Sequence, residues 1–482
     1  MVMEINPDAW DIAMQLDLER KSGIVRGNVL PLHGLPILIK GNIGTQDRME
    51  TTAGSYALVG AQVPADSTIV AKLREAGLII LGKTDLSQWA NFRSFNSSNG
   101  WSAYGGQTYG AYYPKQDPSG SSSGSGVASD LGLAFAAIGT ETSGSIISPS
   151  QMNNIVGIKP TVGLTSRYMV VPISERQDTV GPMARTVKDA AKILQVIAGK
   201  DPNDNYTLAS PFETSRDLPD YVAACNVSGL AGRRIGIPRN VIDAGASNSS
   251  SPVMEAFESA ISIIATAGAT VVEDTNFTAF DAYTKSNVPD SVLYADFISD
   301  IAKYLAGLKT NPNDLHDLAD IRRFTQNFPS EDYPDRDTGI WDSALAANIT
   351  NTSPAFWPLY QQNLYFGGEG GVLGALERHN LDAVILPTSF AASIPALVGA
   401  PVVTVPLGAY PADTPVKYNG RGDLVQVAPR IPFGISFLGA KWSEEALIGM
   451  AYAFEQRTLV REKLERYIAP QTELVDNVQS GI

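Results

Sequence analysis

Short apolar runs separated by amphipathic segments constrain the fold of this chain more than any other feature. The runs are apolar at consecutive positions, so both faces of each predicted strand must be buried. Strands of this kind belong to sheets that carry helices on both faces. We therefore predict an α/β fold, a single large α/β/α sandwich with a mixed, mostly parallel central sheet. The predicted strands are 35–40, 78–82, 234–238, 270–273, 381–387 and 401–406.

The segments between these strands have apolar residues at helical spacing and predict the covering helices. Segment 66–75 begins at Asp66 and segment 186–198 begins at Thr186, and both residue types favour the cap of a helix. We also predict a helix at 83–90. The polar stretch 311–353 is predicted to form surface loops or excursions. No change of composition is sharp enough to divide the chain into independent domains.

The charge balance limits the partners of this chain. It has 36 Lys and Arg against 50 Asp and Glu, a net charge of −14, which argues against nucleic acid and anionic membranes. No apolar stretch reaches the ~20 residues of a spanning helix, and no signal peptide is visible at MVMEINPDAW. The cytoplasm is the default location, and an excess of glycosylation sequons keeps secretion open. Sequons occur at Asn96, Asn205, Asn226, Asn248, Asn276, Asn348 and Asn351.

One cysteine and three histidines restrict the possible chemistry. A single cysteine allows no intrachain disulfide and no cysteine zinc site, and the three histidines lie in unrelated contexts. We predict no metal and no cofactor. A hydrolase with this composition is expected to use a general base other than histidine.

Two Ser/Gly segments lie close together in the sequence. The first is PSGSSSGSG (118–126) and the second is GTETSGSIIS (139–148). One interpretation is a flexible linker. The alternative is a pair of loops at one edge of the sheet, whose backbone N–H groups would suit an oxyanion or a phosphate. No P-loop motif is present, so nucleotide binding is not indicated.

Lysine is the next candidate for a base. An ordinary lysine is neutral in only ~1 molecule in 2,500 at pH 7, but burial disfavours the ammonium and can remove that obstacle. Lys40 ends an apolar strand and is therefore the lysine best placed to be drawn inside. Alternatively, its side chain extends along the surface to solvent.

Several motifs together resemble the amidase signature family, in particular its peptide-amidase-like branch. The resemblance runs from about residue 5 to about residue 460, in the order and spacing of the family. It implies one amidase-signature domain over 1–482, with a catalytic core at about 25–200. The matching motifs are PLHGLPILIKGNI (31–43), the Ser-rich loop (119–126), GTETSGSI (139–146), GIKPTVGLTSR (157–167), QDTVGPMARTVKDAA (177–191) and IPFGISFLG (431–439).

The resemblance implies a Ser–cis-Ser–Lys triad. By position, the nucleophile is Ser145, the relay is Ser121 and the base is Lys40. The N–H groups of Thr142, Ser143 and Gly144, together with that of Ser145, are expected to bind the oxyanion. Ser122, Asp178 and Arg185 are implied as supporting residues, although buried scaffolding would equally explain Arg185. Asn91, Phe92 and Gln107 are candidates for the substrate pocket.

The implied activity is hydrolysis of an amide, such as a peptide C-terminal amide or a small carboxamide, by a monomer or homodimer. One alternative is an amidotransferase A-type subunit that makes ammonia for a partner, and another is a non-catalytic relative. Ser143 and a start later than that of the relatives, which carry additional N-terminal helices, motivate the last possibility. Ser119 and Ser123 replace glycines of the family, and Ser143 stands where the peptide-amidase-like branch has Asp.

Overall fold

The computed structural model of the chain describes residues 1–22, 31–245 and 251–470. Its strands are β1 (Val2–Ile5), β2 (Pro36–Lys40), β3 (Ile79–Thr84), β4 (Trp101–Ser102), β5 (Gly106–Gln107), β6 (Ala136–Glu141), β7 (Val156–Lys159), β8 (Thr179–Ala184), β9 (Arg234–Gly236), β10 (Thr270–Val272), β11 (Ala383–Pro387), β12 (Val402–Ala409), β13 (Lys417–Tyr418), β14 (Val425–Val427) and β15 (Pro432–Leu438).

The α-helices connect and cover these strands. They are α1 (Ala9–Lys21), α2 (Thr68–Glu75), α3 (Ser123–Leu131), α4 (Ile147–Met152), α5 (Val187–Ile197), α6 (Arg239–Gly245), α7 (Ser251–Thr266), α8 (Phe280–Tyr283), α9 (Val288–Ala306), α10 (Leu318–Asn327), α11 (Gly339–Ala347), α12 (Phe356–Gly367), α13 (Val372–Arg378), α14 (Ser393–Leu397) and α15 (Glu444–Thr458).

Within the described ranges, eleven strands form one sheet in the order β1-β3-β2-β6-β8-β7-β12-β15-β11-β9-β10. The predicted α/β fold with a mixed sheet covered by helices is confirmed. The expectation that the sheet is mostly parallel is wrong. Four of its neighbouring pairs are parallel and six are antiparallel. A run that is apolar at every position reports burial on both faces but carries no information about strand direction.

The two faces of the sheet are covered by different helices. On β2, Ile37 and Ile39 belong to the main core cluster, which also contains the buried residues of α2, α5, α7 and α15. Leu38 belongs instead to a cluster with Ala128 of α3. Successive side chains of a strand point to opposite faces, so Lys40 shares the α3 face with Leu38.

Helix boundaries confirm one predicted cap and correct another. Thr186 caps α5, and its hydroxyl accepts a hydrogen bond from the Asp189 N–H at 3.1 Å. For α2 the cap is Ser67, one residue after the predicted Asp66. The Asp66 carboxylate instead accepts from the Gln46 N–H and lies 3.1 Å from Arg74 Nε.

Two predicted segments differ in the structure. Residues 83–90 do not form an α-helix, because β3 continues to Thr84 and a short 3₁₀ turn covers Gln88–Asn91. The polar stretch 311–353 contains α10 and α11 as well as loops. Helix α10 buries only a narrow apolar face, so its overall polarity hid it from the sequence pattern.

Two observations bear on the environment of the chain. No helix in the described part of the chain is long and apolar enough to cross a membrane. Among the sequon asparagines, Asn96, Asn205, Asn226 and Asn348 are exposed, while Asn248 lies outside the described residues.

Candidate active site

The two Ser/Gly segments meet at the edge of the sheet where β2 and β6 end. These strands are parallel neighbours, with Ile39 opposite Ile138, so their carboxyl ends lie at the same edge. The first segment leads into α3, and the second connects β6 to α4. The two loops are therefore part of the folded sheet edge, and the flexible-linker interpretation is wrong.

Lys40 is buried at this edge among oxygen atoms. Its side chain has no exposed surface, and its Nζ lies 2.7 Å from Ser121 Oγ, 2.9 Å from Thr140 Oγ1 and 3.1 Å from the Thr140 carbonyl oxygen. Burial lowers the pKa of Lys40 to about 7, against the opposing influence of the Asp178 and Glu141 carboxylates. A large fraction of Lys40 is therefore an uncharged amine near neutral pH.

Ser121 and Ser122 join the two loops. Ser121 is fully buried, and the peptide bond between Gly120 and Ser121 is cis. The Ser122 N–H donates to the Ser145 carbonyl oxygen at 3.2 Å, and the Ser122 hydroxyl donates to the Thr140 carbonyl oxygen at 3.1 Å. Ser122 thus fixes the relay loop against the loop that carries Ser145.

Glu141 holds the loop around Ser145 in shape. Its carboxylate accepts hydrogen bonds from the N–H groups of Gly144, Ile146 and Ile147 at 2.8, 2.7 and 3.0 Å. Ser145 itself is buried, with 8% of its surface exposed. The Gly144 N–H was predicted to face an oxyanion, but in this structure it is occupied by Glu141. The N–H groups of Thr142, Ser143 and Ser145 stay candidates for this role.

Asp178 supports the same loop from the other side. Its Oδ1 accepts from the Thr142 hydroxyl at 2.6 Å, and its Oδ2 accepts from the N–H groups of Ile173 and Ser174 at 2.8 and 3.0 Å. Burial raises the pKa of Asp178. Ser143, next to Thr142, is exposed to solvent and free of such support from Asp178.

Arg185 does not lie at the site. Asp178 immediately precedes β8 and Arg185 immediately follows it, so the strand of six residues separates them by about 20 Å. The Arg185 guanidinium donates to the carbonyl oxygens of Ser129 and Ala134 at 3.3 and 3.1 Å, near the end of α3. Its role is the scaffolding that the sequence left open.

The three predicted pocket residues have different environments. Asn91 is exposed and donates to Asn99 Oδ1 at 2.9 Å. Gln107 donates to the Asn99 carbonyl oxygen at 2.8 Å. Phe92 packs against Phe297, with ring centroids 5.0 Å apart, in a hydrophobic cluster. Asn91 and Gln107 are therefore brought together through Asn99, whereas Phe92 is a packing residue.

Three residues of this arrangement were not predicted from the sequence. They are Glu141, Thr140 and Asn42, whose amide Nδ2 donates to Thr140 Oγ1 at 3.0 Å. Glu141 precedes a helix start by a few residues, a position where a carboxylate can accept backbone N–H groups, so this signal was available. Asn42 and Thr140 gave no such signal, because 98 residues separate them.

Among the residues that the structure describes, no group of three or more His, Cys, Asp or Glu side chains is placed to hold a metal ion. The arrangement instead combines a buried amine, two serines and a loop that presents backbone N–H donors. Such a combination is suited to acyl transfer through a serine nucleophile.

The chain belongs to the amidase family, whose sequence pattern matches residues 1–448. It is 60% identical over 473 residues to a protein of Arthroderma benhamiae assigned to the amidases, covering 98% of this chain and 78% of that protein. It is 39% identical over 268 residues to the A-type subunit of the glutamyl-tRNA(Gln) amidotransferase of Salinispora arenicola. That similarity covers 55% of this chain and 51% of the amidotransferase chain.

Solved structures agree with this assignment. The native peptide amidase of Stenotrophomonas maltophilia superposes with a TM-score of 0.83 at 38% identity, covering 95% of this chain and 89% of that enzyme. An amidase family protein of Bacillus anthracis gives a TM-score of 0.80 at 29% identity, covering 96% of this chain and 84% of that protein. The resemblance to the peptide amidases is thereby confirmed.

Proposed function

We propose that this protein is an amide hydrolase that forms an acyl-enzyme on Ser145, with Ser121 as proton relay and Lys40 as base. One observation carries the proposal: Lys40 is fully buried with its Nζ 2.7 Å from Ser121 Oγ, and burial lowers its pKa to about 7. A neutral amine at this position can accept the Ser121 proton at neutral pH.

The proton moves in a closed cycle. Ser121 gives its proton to Lys40 and takes the proton of Ser145, whose Oγ forms a bond to the amide carbon. The proton returns through Ser121 to the leaving nitrogen as the C–N bond breaks. Water then attacks the ester carbon, its proton enters the same relay, and the Ser145 oxygen recovers a proton as the acid departs. The balance requires no other reactant.

The oxyanion of the tetrahedral intermediate needs preorganised donors. The loop held by Glu141 and Asp178 supplies the N–H groups of Thr142, Ser143 and Ser145 for this purpose. Removing one donor of this kind typically slows an enzyme by about 100- to 1,000-fold. Rigidity of the loop is therefore part of the proposed catalysis.

A polar cavity beside the relay supports a peptide or small carboxamide as substrate. Its volume is about 400 Å³, and its lining includes Asn99, Asp117 and Gln426. Asp117 accepts from the Ser119 N–H at 2.8 Å, two residues before Ser121, so the cavity adjoins the relay loop. Amide and carboxylate side chains can hydrogen-bond to a peptide backbone. The similarity to a peptide amidase favours C-terminal peptide amides.

We propose one domain for this function, because strands from both ends of the chain, β1 and β15, belong to the same sheet. A monomer or a homodimer remains our proposal for the assembly.

The proposal is tested with Ser145→Ala in the purified protein. Release of ammonia from peptide C-terminal amides, short aliphatic amides and glutamine is measured for the wild type and the variant. Wild-type activity that Ser145→Ala abolishes supports the proposal, and activity that survives the substitution refutes it. If the wild type releases ammonia only from glutamine, and only with a co-purified partner, the result would favour a role within an amidotransferase. A wild type that neither hydrolyses amides nor reacts with a fluorophosphonate would indicate a non-catalytic relative.

A further inference from the structure

A small void lies directly behind the hydrogen-bond partners of Lys40. Its volume is about 10 Å³, and its lining includes Asn42, Thr140, Thr142, Asp178 and Thr179. This is close to the smallest space that can hold one water molecule. The void is separate from the polar cavity proposed for the substrate, and it borders the relay on the lysine side.

Two residues that line the void, Asn42 and Thr179, each carry a polar atom without a partner in the described part of the chain. Within the described residues, neither Asn42 Oδ1 nor Thr179 Oγ1 has a hydrogen-bond partner. Asn42 is 2% exposed and Thr179 is 0% exposed. Buried polar atoms are almost always hydrogen-bonded, since leaving them unpaired is costly. Because both residues line the same small void, we infer that it holds a polar occupant.

The hydroxyl of Thr140 also needs a partner if Lys40 is to act as a base. This hydroxyl has one hydrogen and two lone pairs. Asn42 Nδ2 donates to one lone pair at 3.0 Å, and Lys40 Nζ lies 2.9 Å away. When Lys40 is neutral, the Thr140 hydrogen can point either at the lysine lone pair or into the void. The first orientation removes the lone pair from Ser121, and the second leaves it available.

We propose that the void binds one ordered water molecule, which accepts the Thr140 hydroxyl hydrogen and donates to Asn42 Oδ1 and Thr179 Oγ1. This water keeps the Thr140 hydrogen away from Lys40 and directs the lysine lone pair to Ser121. Asn42 and Thr179 are then positioning residues that act through the water. The inference rests on the proposed Ser145–Ser121–Lys40 relay and adds a binding site to it.

The charged groups around Lys40 stay the same when the water site is altered. Asp178 and Glu141 both act on the Lys40 charge, and Arg167 lines the same void. A Thr179→Val substitution leaves these groups in place. It replaces only the hydroxyl by a methyl group, so the side chain keeps nearly the same shape. A change in the pH dependence of catalysis would therefore report the water and not an altered charge.

Thr179→Val tests the water site. Without one of its partners the water is lost, and the Thr140 hydrogen turns to the lysine lone pair. That bond stabilises the neutral amine and competes with Ser121. We expect the plateau of kcat/KM to fall about tenfold and the midpoint of the pH profile to move down by about half a pH unit. Thr179→Ser keeps a hydroxyl and should recover most of both losses.

Thr325→Val is the matched control, because Thr325 is fully buried, its hydroxyl has no partner among the described residues, and it lies on α10 away from the relay. A Thr179→Val variant that behaves like this control, or that loses activity at an unchanged midpoint, overturns the proposal.

If Thr179→Val fails to fold, a crystal structure of the wild type at about 1.5 Å tests the water site independently. A water bonded to Thr140, Asn42 and Thr179 supports the site, and its absence overturns it. Loss of activity in Ser145→Ala shows that acyl-enzyme formation on Ser145 stands whichever result is obtained.

Discussion

Replacing Lys40 by methionine should abolish hydrolysis and, near neutral pH, make the protein more stable. The unfolded chain carries an ordinary lysine with a pKa of 10.5, whereas burial lowers the pKa of the folded state to about 7. Below about pH 7 both states carry the proton, and the folded state bears the full cost of a buried charge. Between about pH 7 and 10.5 the unfolded state binds more protons, so wild-type stability rises with pH.

The size of this effect follows from the two pKa values. A fall from 10.5 to about 7 corresponds to about 5 kcal/mol at 25 °C. Methionine removes that cost but leaves the hydrogen-bond partners of Lys40 on Ser121 and Thr140 without their donor, at about 1 kcal/mol each. We therefore expect Lys40→Met to be more stable than the wild type by about 2 kcal/mol at pH 7. The advantage should shrink by about 2 kcal/mol by about pH 9.

The assay is urea unfolding of both proteins across this pH range, compared as differences so that other titrating groups cancel. Lys83→Met is the matched control. Lys83 is also fully buried, and burial lowers its pKa to about 8, but it donates to the Ile43 carbonyl oxygen and Thr51 Oγ1. The Lys83→Met variant should differ from the wild type in stability with a similar pH dependence, and it should retain hydrolysis. A stability difference between the wild type and Lys40→Met that stays constant from pH 7 to 9 would refute the buried neutral lysine.

Two further substitutions examine the carboxylates of the site. Asp178→Asn removes a negative charge that raises the pKa of Lys40. The midpoint of the pH profile of kcat/KM, expected near pH 7, should therefore move down by roughly half to one pH unit. An unmoved midpoint would exclude this electrostatic role of Asp178. Glu141→Gln can no longer accept three N–H groups, so it should lose about 2 kcal/mol of stability and at least about tenfold in kcat. Glu444→Gln is the control, because Glu444 is also a buried carboxylate and accepts the Thr161 N–H. It should lose stability without the loss of kcat. Equal losses of kcat in Glu141→Gln and Glu444→Gln would contradict the role of Glu141.

The local pattern of the sequence predicted the parts of the fold that depend on burial. The runs that became β2, β3, β11 and β12 were recognisable because consecutive apolar residues are buried on both faces of a covered sheet. The same pattern could not give strand direction, which depends on the connections between strands. Helix α10 was missed because its apolar face is narrow.

The triad of Lys40, Ser121 and Ser145 was predicted from the family resemblance, and the structure brings Lys40 Nζ within 2.7 Å of Ser121 Oγ. Residues that act through contacts across the fold were not predicted. Arg185 was placed with Asp178 by the family resemblance, although the extended strand β8 holds the two residues apart. The Gly144 N–H was assigned to the oxyanion by the family resemblance, and the position of Glu141 shortly before a helix start, which favours a carboxylate that accepts backbone N–H groups, was not used.

The complete burial of Lys40 also makes catalysis sensitive to hydration of the protein interior. If heating lets water reach the end of β2, the amine regains the pKa of an ordinary lysine and takes up a proton at neutral pH. The base is then lost while the strands are still paired. On heating, loss of activity should therefore precede the melting of secondary structure. The residual activity would then report how completely water is still excluded from Lys40 at the end of β2.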